Sequence, residues 1–107
     1  MNRYRFMRVI VMFDLPVLTS AQRKAYRKFR KWLVGAGFVM LQESIYSKLV
    51  LNPTAAQFLK AQIRSQEVKE GIVQVMVISE KQYENIEFIV GEVQSDTLSD
   101  MRRLVIL

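Results

Sequence analysis

The chain contains no cysteine and no histidine in its 107 residues. The first absence excludes disulfides and thiolate-held metals and suits a reducing cytoplasm. The second removes the commonest general base and the commonest transition-metal ligand. Any metal must then be held by oxygen, which points to Mg²⁺ or Mn²⁺. Glycine is scarce as well, with four residues and no Gly-rich loop to cradle a phosphate. Zinc-ligand spacing and a Ser/His/Asp set are also missing. No apolar run approaches transmembrane length. Arg3, Arg5 and Arg8 before the apolar run Val9–Phe13 look superficially like a signal peptide. That run is too short for an h-region, ends in Asp14 and has no small-residue cleavage site. A soluble cytoplasmic protein with no membrane partner is expected.

What is present suits one domain. Half of the residues are hydrophobic, enough for a core. A chain this small is marginal alone and gains from association. The formal net charge is +6 and the pI about 9.9. Such a balance favours an anionic partner, nucleic acid above all, over mere solubility.

The stretch Val9–Phe13 is unbroken, apolar and rich in β-branched residues. It reads as the heart of a strand from Arg5 to Asp14, buried on both faces. Leu15-Pro16 ends it, because proline has no N–H for a ladder. Asp14 therefore stands at the end of a central strand, just before a loop. Alone it either serves chemistry or merely accepts backbone N–H bonds in the turn. Two such carboxylates meeting across a dimer axis could hold one Mg²⁺.

Thr19 and Gln22 have capping-box spacing. The helix they open repeats Ala25, Phe29, Trp32 and Ala36, with Tyr26 and Leu33 widening the stripe. Between them lie Arg23, Lys24, Arg27, Lys28, Arg30 and Lys31, with no acid to neutralise them. The helix spans about 25 Å at ~1.5 Å per residue, and Gly35 and Gly37 terminate it. Its outward face is either a solvated surface or a track for phosphates, and so dense a row of cations favours the track.

Phe38 to Gln42 and Ile45 to Leu51 read as two strands or one bent hairpin, with a bulge or tight bend at Glu43-Ser44. Glu43, Ser44 and Tyr46 could line a cleft there or be ordinary hairpin residues. Asn52-Pro53 opens a second helix marked by Ala55, Phe58, Leu59, Gln62 and Ile63 and ending near Gln66. Gly71 introduces a strand at Ile72–Ile78. A turn or short helix follows to Ile86, and Glu87–Gly91 reads as a fifth short strand. Gln94 to Asp100 reads as a linker. Leu104-Val105-Ile106-Leu107 is expected to add as a strand to a sheet edge, of this chain or of a partner. The expected division is therefore a domain over 1–93 and a linker with a strand tail over 94–107.

The order strand, helix, strand, strand, helix, strand is the α+β, ferredoxin-like βαββαβ arrangement, with helices on one face of an antiparallel sheet. Strands 9–13 and 72–78 are apolar on nearly both parities. A second copy packed sheet to sheet, in a two-fold homodimer, is the simplest cover for the other face. Phe29, Trp32 and Phe38 read as core aromatics, and no RRM-type aromatic signature is present.

Three motifs together carry a resemblance. Met12-Phe13-Asp14-Leu15-Pro16, the basic helix Arg23–Lys31 and Gln42-Glu43-Ser44-Ile45-Tyr46 resemble the CRISPR-associated protein two family. The likeness is nearest to the branch that accompanies type II-A systems and covers almost the whole chain. It implies a ferredoxin-like two-fold dimer acting in CRISPR adaptation (spacer acquisition). Such a dimer holds duplex DNA and bridges the CRISPR-associated protein one integrase. It also implies a Mg²⁺-dependent endonuclease on RNA or double-stranded DNA, with Asp14 as catalytic residue and metal ligand. The tail Leu104–Leu107 would pack on the partner subunit and abut the integrase. The chain departs from many members at Met40, where they carry an arginine of the nucleic-acid or catalytic site, which weakens the case for cleavage. Two further readings stay open: a stand-alone metal-dependent endoribonuclease of the toxin-like ferredoxin-fold type, and a regulatory module binding a small ligand.

Overall fold

The computed structural model describes residues 6–92. The elements are β1 (Met7–Asp14), α1 (Ser20–Gly35), β2 (Val39–Gln42), β3 (Ile45–Val50), α2 (Pro53–Arg64), β4 (Ile72–Ser79) and α3 (Glu80–Glu84). The strands form one sheet in the order β2-β3-β1-β4, antiparallel at every contact. This is the expected ferredoxin-like topology, with β1 in the interior.

Register divides the sheet into two unequal faces, because side chains alternate along a strand. Val9 and Val11 pair with Lys48 and Tyr46 on one side and with Val77 and Val75 on the other. These residues share the face covered by α1 and α2, where Val9, Val11, Phe13, Phe29, Leu33, Tyr46, Ala56, Leu59 and Ile63 form the core. The second face carries Ile10, Met12 and Asp14 of β1, Ser47 and Leu49 of β3, and Ile72, Gln74 and Met76 of β4. Ile10 and Ser47 are buried, but Ile72 is 56% and Met76 44% exposed. β4 is thus apolar on both parities, and among the described residues helices cover only one of them. Arg8 leaves β1 on this second face, where its Nε donates to Glu80 Oε1 at 2.8 Å and its guanidinium lies 4.2 Å from the Tyr83 ring centroid. α3 thereby caps one end of that face.

The helix ends follow local chemistry. Thr19 Oγ1 accepts from the Gln22 N–H at 3.1 Å, and Gln22 Oε1 accepts from the Thr19 N–H at 2.9 Å. At the other end of α1, Phe38 N–H donates to Leu33 O and Gly37 N–H to Val34 O. This is the Schellman pattern, and Gly37 supplies its left-handed residue at φ 95°. Gly35 is the last helical residue and not a terminator. Lys48 Nζ reaches from β3 to the Ala36 carbonyl at 2.6 Å, so the helix end is also tied to the sheet. In α2, Asn52 Oδ1 accepts from Ala55 N–H at 2.8 Å, as the Asn-Pro start implies.

Several expectations need correction. The stripe of α1 runs through Tyr26, Phe29, Trp32, Leu33 and Ala36 as expected, but Ala25 is exposed. In α2 the buried positions are Ala56, Leu59 and Ile63, while Phe58 is 68% exposed and Gln62 is also outside. Leu59 and Ile63 are buried as expected and Ala55 packs against the core, so the apolar stripe is narrower than the spacing implied. α2 stops at Arg64, two residues before the expected end. Residues 38–51 form two strands, with a register shift between Met40 and Gln42 and a turn at Glu43-Ser44. Ser44 takes φ 64° there. Residues 87–91 form no strand: Phe88, Ile89 and Val90 are exposed and pair with nothing among the described residues. Their apolar character fits a strand, but β4 is followed directly by α3, which carries the chain off the sheet edge. The expected linker and the Leu104–Leu107 strand lie outside the described residues.

Candidate nucleic-acid interface

α1 docks through Phe29 and Leu33, so its opposite face turns to solvent by helical geometry. Arg23, Lys24, Arg27, Lys28, Arg30 and Lys31 are all exposed. Among the described residues no acid pairs with any of them; the one ion pair is Arg8 with Glu80. Among the described residues this face is a row of cations without an ion-pair partner.

The six cations are not equivalent. Arg23 Nη1 donates to the carbonyls of Val17 at 3.2 Å and Leu18 at 2.9 Å, tying down the loop after β1. Arg30 Nε donates to the Tyr46 hydroxyl at 2.9 Å. Chiefly that hydrogen bond, and then the partial charge of the same hydroxyl, holds the Arg30 guanidinium above its ordinary pKa against a small opposing effect of burial. Among the described residues Lys24, Arg27, Lys28 and Lys31 have no such anchor.

Asp14 is exposed at the end of β1 and shares the parity of Met12, on the face away from α1. The Phe13 N–H donates to the Ser44 carbonyl at 3.0 Å. That bond draws the Glu43-Ser44 turn beside the end of β1, so Asp14, Glu43 and Ser44 occupy one end of the sheet. Tyr46 does not join them. It is 2% exposed, points toward α1 and stacks on Phe13 with ring centroids 5.8 Å apart. The expectation that it lines the same cleft is corrected by strand parity. The tail residues Leu104, Val105, Ile106 and Leu107 lie outside the described residues.

Among the described residues no three acids come together to hold a metal. At this end of the sheet one protomer offers Asp14 with Glu43 in the neighbouring turn, few oxygens for a hard cation that prefers several. No helix of the described residues is long and apolar enough to cross a membrane.

Residue patterns missed three contacts. The Arg30–Tyr46 bond links α1 to β3, and Lys48 ties β3 to the end of α1. Arg8 joins β1 to α3. The one available signal was a cation placed within an apolar strand, as at Arg8 and Lys48, where it must find a partner or reach the surface.

Fold and site define a small ferredoxin-like protein that presents one strongly basic helix and one strand-end carboxylate. Known proteins narrow the class. The family model described as CRISPR associated protein Cas2 matches residues 7–86. A protein of Treponema denticola named CRISPR-associated endoribonuclease Cas2 is 48% identical over 101 residues, covering 94% of this chain and all of its own. Proteins of the same name from Ligilactobacillus salivarius and Streptococcus mutans are 41% and 42% identical over 94% of this chain, covering 100% and 93% of theirs. The chain belongs to the Cas2 family of CRISPR-associated proteins.

Proposed function

We propose that this protein is a CRISPR adaptation scaffold: a basic homodimer, type II-A-like, that holds duplex DNA and docks the CRISPR-associated protein one integrase. The observation that carries the reading is the outward row of six cations on α1 without an acidic partner among the described residues. The half-exposed apolar face of β4 supports pairing, since a second copy would cover Ile72 and Met76. The tail Leu104–Leu107 would supply the docking strand.

A second reading is a Mg²⁺-dependent endonuclease acting on RNA, or on duplex DNA. It is favoured by the exposed Asp14 at a strand end and by the name its relatives bear. In a pair, the two Asp14 carboxylates would hold Mg²⁺ or Mn²⁺, which polarises a phosphodiester and activates water. Asp14 and the basic helix face opposite sides of the sheet, however, so a duplex lying on α1 is not placed over its own protomer's carboxylate. This separation favours holding over cutting.

The test is binding and cleavage in parallel, with and without Mg²⁺. It compares wild type, Asp14→Asn and the combined Lys24→Ala, Arg27→Ala, Lys28→Ala, Lys31→Ala variant. A scaffold binds duplex DNA with a salt slope near −5 if about six phosphates are neutralised. It keeps that binding in Asp14→Asn, loses it in the four-site variant and cleaves nothing. Mg²⁺-dependent cleavage that vanishes in Asp14→Asn would establish the nuclease reading instead.

A further inference from the structure

The geometry points to Tyr46 as a positioning residue that fixes Arg30 as a two-pronged phosphate clamp, a braced register point midway along the row of charges. The inference rests on the reading of α1 as a phosphate track.

A guanidinium presents donors on two edges. In Arg30 the Nε is committed to the Tyr46 hydroxyl at 2.9 Å. Both terminal nitrogens are left without a partner among the described residues, on an exposed side chain. These two nitrogens form the edge that matches two oxygens of one phosphate. The hydroxyl that aims them cannot wander. Tyr46 is 2% exposed and its ring stacks on Phe13, which meets Phe29 edge-on at 5.2 Å. Phe29 precedes Arg30 in α1, so the base and the tip of the arginine are referenced to the same aromatic cluster. Lys24, Arg27, Lys28 and Lys31 have no comparable strut. They supply attraction and salt dependence, while Arg30 supplies a fixed point.

Pre-organisation of one long side chain predicts a definite pattern, read as Kd for a 30-base-pair DNA duplex across a KCl series. Tyr46→Phe keeps the ring and the protein charge but removes the strut. Affinity should fall roughly three- to tenfold while the salt slope is unchanged, because no charge is lost. Arg30→Lys should fall by a similar factor with the same slope, since lysine binds phosphate as a point charge. In the Arg30→Lys background, Tyr46→Phe should have no further effect. Equal losses in both backgrounds would mean that Tyr46 acts only through the fold, and would overturn the clamp. Full affinity in Tyr46→Phe, with binding lost in the four-site variant, overturns the clamp and leaves the phosphate track standing. Wild-type binding by the four-site variant removes the track and the clamp with it. Should Tyr46→Phe fail to fold by thermal melting, Arg30→Lys decides alone, and wild-type affinity in that variant refutes the proposal.

Discussion

Ser47 is the least comfortable side chain among the described residues. It is fully buried in β3 between Ile10 and Val39, and its hydroxyl has no hydrogen-bond partner. An unsatisfied buried hydroxyl costs roughly 1–3 kcal/mol. Ser47→Ala is therefore expected to leave stability unchanged or raise it by up to about 1 kcal/mol, measured by urea denaturation. A clear loss would mean that the hydroxyl finds a partner in the assembled protein. Gly71 is the opposite case, a residue whose absent side chain is essential. It sits at φ 89°, and a Cβ there would come within 2.4 Å of the Asp14 carbonyl. Gly71→Ala should cost more than about 1 kcal/mol and displace the end of β1. Asp14 would suffer with it, although the substitution never touches its carboxylate.

Among the elements, α1 and β1 were the most legible in sequence. The capping box at Thr19 and Gln22, the glycine at position 37 and the Asn-Pro start of α2 all act through contacts within a few residues. Side-chain alternation could not reveal that Tyr46 faces α1 rather than Asp14, because β3 is apolar on both parities. The supposed strand at 87–91 failed for a related reason. Its Phe-Ile-Val run has strand propensity, but propensity does not provide a neighbour to pair with. Lys48 shows what long-range contact adds. It lies on the core face, flanked by Tyr46 and Val50, and its ammonium reaches the carbonyl of Ala36, which caps α1, at 2.6 Å. Lys48→Met keeps the apolar stem and drops the charge. It should destabilise the protein by about 1–2 kcal/mol, a shift in melting temperature of roughly 4–8 °C for each kcal/mol.

At the scale of the molecule, two properties follow from composition and charge. With no histidine in the chain, no side chain of ordinary pKa changes charge between about pH 6 and 9. For Arg30 the sign runs the same way. Its pKa is raised on folding, so its contribution is complete below the unfolded value and is lost only in strong alkali. Duplex affinity at fixed salt should accordingly vary less than about twofold over that range. A steep pH profile would implicate a group outside the basic helix. The half-covered second face of the sheet makes the other prediction. If two copies close over it, the melting temperature should rise with protein concentration. A midpoint independent of concentration, with monomers in sedimentation, would leave that face to a different partner.

The pinning of α1 has a calorimetric consequence. The helix is clamped by the Thr19–Gln22 box at one end and by Lys48 at the other, with Arg30 braced along its length. It behaves as a beam fixed at both supports, and its charges keep their spacing before any ligand arrives. The ordering entropy of the track is spent in folding and not in association. Capture of a duplex should then leave helicity by circular dichroism unchanged. Its heat-capacity change should stay small, unlike that of basic segments that fold on their target.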